Sequence, residues 1–189
     1  MKRPALFLDR DGVINVDHGH VYQPENFDFI PGIFDLVRTA NNLGYLVVIV
    51  TNQAGIGRGY YSEEQFHQLM DWVRLQFAEQ GAQIDAVYFC PYHPEHGIGK
   101  YKRESEFRKP GAGMLLQAAQ EMALDLHNSI LVGDNVTDIQ AAVAAGIPTR
   151  FLLGSSSDAC QSAIRVAELK DVVLFLSENI DKKRKCDFL

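Results

Sequence analysis

Short apolar runs alternate along this chain with stretches in which apolar residues recur at helical spacing. Residues 5–8 are an apolar run closed by Asp9, which predicts a buried strand. Ile33, Leu36, Val37, Ala40 and Leu43 follow a helical period, and Gly44 stands where that helix would stop. Residues 45–50 are apolar and β-branched almost throughout, the pattern of a strand covered on both faces. Ser62-Glu63-Glu64-Gln65 has the form of a capping box, opening a helix whose inner face carries Phe66, Leu69, Val73 and Phe77. Strands are predicted at 86–89, 129–132 and 148–153, and helices at 113–122 and 136–145, the latter stopped by Gly146. Residues 158–167 read as helix, whereas the apolar run 172–176 fits either element. Strands alternating with helices define the α/β class: a doubly wound parallel sheet, Rossmann-like, with helices on both faces.

At 189 residues the chain fits a single domain, 1–189, that needs no disulfide or metal to close its core. Its formal charge of −6 speaks against a generally basic surface for nucleic acid or anionic membrane. Cys90, Cys160 and Cys186 are too few and too scattered for a disulfide framework, which points to a reducing compartment. Only residues 5–8 are apolar before Asp9, too short a run for a signal peptide or a membrane span. The expectation is therefore a cytoplasmic monomer with no nucleic-acid or membrane partner.

In an open parallel sheet, ligands bind beyond the carboxyl ends of the strands. The residues following the predicted strands are Asp9-Arg10-Asp11-Gly12, Thr51-Asn52-Gln53 and Gly133-Asp134-Asn135-Val136-Thr137-Asp138, with Arg108 and Lys109 just before the third long helix. Carboxylates gathered at one edge repel unless a cation joins them. Oxygen ligands from Asp9, Asp11 and Asp134 suit Mg²⁺, which prefers octahedral oxygen and bridges to phosphate. The chemistry this suggests is phosphoryl transfer, with one Asp attacking phosphorus while cations and hydroxyl donors stabilise the developing charge. A DxD pair alone is equally the chemistry of a solvated turn or a helix cap. Gly12 and Gly133 read as turn positions rather than ligand contacts. Arg58 fits an anion contact and a solvent-facing loop equally well.

At these residues a resemblance becomes specific. LFLDRDGVIN, VIVTNQAG, RKP and LVGDNVTD resemble, in order, the four signature motifs of haloacid dehalogenase superfamily phosphatases. The longer strings LDRDGVINVDHGHV, VTNQAGIGRG, CPYHP and FRKPGAGML are similar to the branch containing heptose 1,7-bisphosphate phosphatases and the related histidinol-phosphate phosphatases. The resemblance covers roughly residues 5–150 and implies the superfamily fold without a separate cap domain. It implies Asp9 as nucleophile, Asp11 as acid and then base, and Thr51 and Lys109 as the groups that hold the transferring phosphoryl. Asp9, Asp134 and the main-chain carbonyl of Asp11 would bind Mg²⁺, with Asp138 in a supporting role. Asp17, His18, Gly19, His20, Asn52, Gln53, Ala54, Arg108 and Asn135 fall where the heptose enzymes contact substrate. The implied reaction removes the 7-phosphate of D-glycero-D-manno-heptose 1,7-bisphosphate through an aspartyl-phosphate, and its product would feed surface-polysaccharide synthesis. Histidinol phosphate or a broader range of small phosphates is the alternative substrate class. A non-catalytic phosphosugar-binding protein is the other functional class, but it would need no nucleophile and acid together.

Many relatives carry a zinc loop written CxH…CxC before RKP. Here Cys90 remains, while Tyr92, Ser105 and Phe107 occupy the other ligand positions. One thiolate cannot satisfy tetrahedral Zn²⁺, so no structural zinc is expected, and packing of Tyr92, Tyr101 and Phe107 is expected to order the loop. At the end of the chain, Lys182-Lys183-Arg184-Lys185-Cys186-Asp187-Phe188-Leu189 superficially fits a polybasic prenylation signal. Asp187 is not aliphatic, and residues 181–189 read as a flexible, solvated tail. Metal analysis of the purified protein is expected to find no stoichiometric zinc; a one-to-one content would refute the reading of the loop.

Overall fold

Strand β1 (Ala5–Leu8) is buried along its whole length because both of its faces are covered. With β2 (Leu46–Asn52), β3 (Ala86–Cys90), β4 (Ile130–Gly133), β5 (Thr149–Leu153) and β6 (Ile164–Val166), it forms one parallel sheet in the order β3-β2-β1-β4-β5-β6. The structure is a computed structural model and describes residues 2–154 and 162–186. The helices are α1 (Ile33–Asn42), α2 (Ala54–Gly57), α3 (Glu63–Glu79), α4 (Gly113–Glu121), α5 (Val136–Ala144) and α6 (Leu169–Cys186).

Side chains of a strand alternate between faces, and here that alternation divides the core in two. Leu6, Leu8, Val47 and Ile49 pack with residues of α1, α3 and α6, while Ala5, Phe7, Val48 and Val50 pack with residues of α4 and α5. Ser62 accepts from the Gln65 N–H and Gln65 accepts from the Ser62 N–H, so the capping box that starts α3 forms as its sequence suggests. Phe27 and Phe29, in the long connection after β1, form an aromatic cluster with Phe34, Trp72 and Phe77, mostly edge to face, with Phe29 stacked on Trp72. That cluster anchors the connection to α1 and α3.

The structure corrects the sequence reading near the carboxyl end. Residues 164–166, expected to be helical, extend the sheet beside β5. Only Val166 of the three is buried, a pattern suited to an edge strand rather than a helix face. Of the rest of that predicted helix, residues 162, 163 and 167 are turns and bends, and 158–161, with Cys160, lie outside the described residues. Residues 172–176 belong to α6, whose Leu169, Val172 and Leu176 recur at helical spacing and join the core. The α6 backbone runs to Cys186, so the expected tail is helical up to that residue. The short α2 was not foreseen; its Gly55, Ile56 and Gly57 are buried beside the site. No described helix is long and apolar enough to cross a membrane.

Because Leu169 is fully buried, Leu169→Ala should destabilise the protein by about 2–5 kcal/mol. Urea unfolding measures this, and a loss below about 1 kcal/mol would show that α6 is not part of the cooperative core.

Candidate active site

Strand order reverses between β1 and β4, so the chains leaving these neighbours diverge and open a crevice at their carboxyl ends. Asp9 follows β1, its N–H donating to the Val132 carbonyl at 3.1 Å, and Asp134 follows β4. Thr51 and Asn52 close β2. The cleft formed here has a volume of about 370 Å³.

Lys109 is the central cation. Its Nζ lies 2.9 Å from Asp9 Oδ1 and 2.6 Å from Asp138 Oδ1, and it donates to the Val50 carbonyl at 3.0 Å. The residue is only 4% exposed. Burial works to lower its pKa, but the Asp9 and Asp138 carboxylates outweigh burial and push it above the ordinary lysine value. Burial raises Asp9 to about 7; Lys109 opposes that rise and Asp138 adds to it. Burial, followed by the charge of Asp138, raises Asp134 to about 6.

Local sequence explains why these groups meet. Asn135 caps α5, and the Asp138 Oδ2 accepts the Asn135 N–H at 3.0 Å, completing a capping box. One Asp138 oxygen is thus held by the backbone while the other faces Lys109. Gly133 makes room for this: a Cβ there would lie 2.3 Å from the Asp138 Cβ. It is therefore a close-approach position at the end of β4, not the turn position expected from the sequence. Gly12 does turn, at φ +83°, and a Cβ there would meet Asp134 Oδ2 at 2.0 Å. The Lys109 backbone is clamped by Asn52, whose Oδ1 accepts its N–H at 3.0 Å and whose Nδ2 donates to its carbonyl at 3.1 Å.

Asp11 faces a second cation. The fully buried Arg10 donates through Nη2 to both Asp11 oxygens, at 2.6 and 2.7 Å, and also to the Val21 carbonyl at 2.8 Å. Asn15 Nδ2 donates to Asp11 Oδ1 at 3.1 Å and Gln53 Nε2 to Asp11 Oδ2 at 3.1 Å. Three side chains therefore fix this carboxyl.

Of the residues singled out in the sequence, Asp9, Asp11, Asp17, Gly19, His20, Thr51, Asn52, Gln53, Ala54, Arg108, Lys109, Asp134, Asn135 and Asp138 line the cleft. His18 does not; its Nε2 pairs with Asp28 Oδ2 at 2.8 Å on the surface. Arg58 also lies outside the lining. Asn52 and Gln53, expected to contact substrate, are committed to other protein groups. Tyr61 and Thr137 line the cleft without having been foreseen. Tyr61 lies well outside the four motifs, and the only hint of Thr137 was its place inside GDNVTD.

Asp9, Asp134 and Asp138 offer oxygens within 4.8 Å of one another, the one such acidic, histidine or cysteine group among the described residues. An all-oxygen set in which the carboxyls of Asp9 and Asp134 are raised fits a hard divalent cation. The Asp11 side chain is turned to Arg10 and is outside that group. In the loop before Lys109, the Arg103 guanidinium sits 3.8 Å over the Tyr92 ring, and Tyr101 donates to Glu63 Oε1 at 2.6 Å. Tyr92 and Phe107 pack against one half of the core and Tyr101 against the other, so aromatic contacts do organise this segment.

Comparison with known proteins gives three findings. The HAD-hydrolase-like family model matches residues 106–173. The chain is 55% identical over 94% of its length, and 95% of the other, to D-glycero-alpha-D-manno-heptose-1,7-bisphosphate 7-phosphatase of Burkholderia mallei. It is 50% identical to the D-glycero-beta-D-manno-heptose-1,7-bisphosphate 7-phosphatase of Vibrio cholerae, over 81% of this chain and 82% of that one. Among solved structures, a D,D-heptose 1,7-bisphosphate phosphatase from B. bronchiseptica, complexed with magnesium and phosphate, superposes with a TM-score of 0.81 at 27% identity. That match covers 95% of this chain and 99% of the other.

The raised carboxyls make cation binding pH-dependent. An aspartate ordinarily ionises near 3.8, so between that pH and about 6 to 7 the unfolded chain gives up protons that Asp9 and Asp134 retain when folded. The cation-free protein therefore loses stability as pH rises through this window. A divalent cation needs the ionised carboxylates, so Mg²⁺ should raise Tm more at about pH 8 than at about pH 5.5. Thermal unfolding with and without Mg²⁺ measures this; equal shifts at both pH values would exclude the site.

Proposed function

The chain belongs to the heptose-1,7-bisphosphate 7-phosphatase family of HAD-like hydrolases, and on that premise we propose that it is a Mg²⁺-dependent phosphomonoesterase removing the 7-phosphate of D-glycero-D-manno-heptose 1,7-bisphosphate. The observation that carries this reading is the Lys109 ammonium 2.9 Å from the Asp9 carboxylate at the base of the cleft, with Asp11 and Thr51 in its wall. A binding protein has no use for a nucleophile, a phosphoryl-neutralising cation and an acid converging on one point.

In this reading an Asp9 oxygen attacks phosphorus and the bond to the sugar oxygen breaks, with Asp11 supplying the proton that oxygen takes. Water then gives a proton to Asp11 and attacks phosphorus. The bond to Asp9 breaks, its carboxylate is restored and inorganic phosphate leaves. Lys109 and the Thr51 hydroxyl stabilise the phosphoryl oxygens throughout. Asp9 and Asp134, with the main-chain carbonyl of Asp11, would hold Mg²⁺, which would supply Lewis-acid charge neutralisation. Asp138 supports the site by holding Lys109. Arg108, at the cleft wall, is suited to the second phosphate of the substrate. Hydrolysis leaves heptose 1-phosphate, which fits a cytoplasmic step supplying activated heptose for surface polysaccharide. The protein would act as a monomer, without structural zinc.

Asp9→Asn should abolish turnover, to below about 10⁻³ of wild type, while circular dichroism shows an intact fold. Substantial residual Mg²⁺-dependent activity would overturn the assignment of the nucleophile. Phosphate release from the α and β heptose bisphosphates, fructose 1,6-bisphosphate and histidinol phosphate is expected to give the highest kcat/KM with a heptose bisphosphate. A preference for histidinol phosphate would move the protein to the other substrate class.

A further inference from the structure

Tyr61 takes no part in the reaction just described, yet its hydroxyl reaches the centre of the site. The residue is 5% exposed, and its O–H donates to Gln53 Oε1 at 2.5 Å. Gln53 is itself buried, and its Nε2 donates to Thr51 Oγ1 at 2.8 Å and to Asp11 Oδ2 at 3.1 Å. A primary amide carries two hydrogens at one end and an acceptor at the other. The Tyr61 and Thr51 hydroxyls can each pair with either end of an amide, so the Asp11 carboxylate selects the orientation and the Tyr61 O–H anchors the oxygen end in it. With the Tyr61 O–H on Oε1, both Nε2 hydrogens point to Thr51 and Asp11. The opposite orientation would set a carbonyl oxygen against the Asp11 carboxylate, acceptor against acceptor.

This orientation bears on both partners. A threonine hydroxyl has a single hydrogen. Because Thr51 Oγ1 accepts from Gln53, that hydrogen remains available to a phosphoryl oxygen in the cleft. Asp11 Oδ2 is steadied from the cleft side by Gln53, while Arg10 and Asn15 hold the carboxyl from the protein side.

The ring of Tyr61 has its own seat. A Cβ on Gly55 would lie 2.3 Å from Tyr61 Cε1 and 2.8 Å from its hydroxyl oxygen. The ring thus fills the space a side chain at position 55 would need. Tyr22 stacks on Tyr61, with centroids 5.1 Å apart and planes at 9°.

We infer that Tyr61 is a positioning residue for the phosphatase reaction: its hydroxyl fixes the Gln53 amide, which aligns the carboxyl of Asp11 and the hydroxyl of Thr51, and Gly55 is the glycine that admits its ring. The kinetic part of this inference rests on the phosphatase reading above; the geometric part does not. Asp11 transfers its proton, and the Thr51 contact strengthens, as charge develops on the reacting atoms. Loosening the amide should therefore lower kcat rather than weaken substrate binding.

The test is a double-mutant cycle. Tyr61→Phe keeps the ring and its stack and removes only the hydroxyl; kcat should fall about tenfold with KM changed less than about twofold. Gly55→Ala, which displaces the ring, should lower kcat similarly, and the double variant should lose no more than the worse single variant. Wild-type kcat in Tyr61→Phe, or losses that multiply in the double variant, would overturn the inference. A readout without substrate keeps its failure distinct from that of the phosphatase reading. Hydrogen exchange of the Gln53 side-chain amide, followed by NMR in the free protein, should speed up at least about tenfold in Tyr61→Phe. Unchanged exchange would overturn the inference whatever the enzyme hydrolyses.

Discussion

One buried ammonium holds the site together. Lys109 stands between Asp9 and Asp138, with Asp134 close by, so three carboxylates share one positive charge in a largely dehydrated place. If all three ionise, the group carries two net negative charges, the complement of a single divalent cation. Removing Lys109 would leave buried carboxylates uncompensated, a change that costs about 3–5 kcal/mol where buried pairs are broken. The elevated pKa values of Asp9 and Asp134 express the same imbalance, since without a further cation the folded protein retains protons it would otherwise release.

Much of the surrounding structure keeps this ammonium in place. The capping box of α5 orients Asp138, Gly133 gives it room, and Asn52 clamps the Lys109 backbone across 57 positions of sequence. The Lys109 ammonium itself donates to a carbonyl of β2, at Val50. The preceding loop is tied down by Tyr92, one of the positions where the resemblance would place a zinc ligand, under Arg103, and by Tyr101 on Glu63. A buried lysine on a loop this long needs such ties, because an unconstrained side chain would lose much of its electrostatic advantage to reorganisation.

The sheet, the helices and the charged residues at its edge were legible in the sequence because each has a local signature. Residues 5–8 and 45–50 announce covered strands, and Ser62–Gln65 announces a helix start. Asp9, Thr51 and Asp134 could be placed together because strand ends of a parallel sheet converge by topology, whereas Lys109, on the loop before α4, was placed by the resemblance of RKP to a family motif. Other features depend on contacts between distant residues, which no local pattern carries. Residues 164–166 are a strand because β5 offers them a free edge. Gln53 belongs to a motif, but its use as a bridge depends on where Tyr61 lies, and that depends on Gly55. His18 sits between two residues that line the cleft, yet its ring turns out to Asp28.

The overall charge of −6 and the local chemistry of the cleft now fit together. An acidic protein can take a doubly phosphorylated sugar if its negative groups are neutralised where the phosphates sit. In the proposed reaction Lys109 and a divalent cation would do this at the base; Arg108 stands at the wall, while Arg10 is spent on Asp11 and faces the protein interior. The described chain supplies one sheet with its helices, so enclosure falls to the connections that carry His20, Tyr61 and Arg108. His20 already meets Tyr60 edge to face at 4.7 Å across the mouth. Substrate choice in such a site is set by the reach of a few loop side chains, whereas the chemistry is set by residues locked to strand ends. The two can therefore diverge independently.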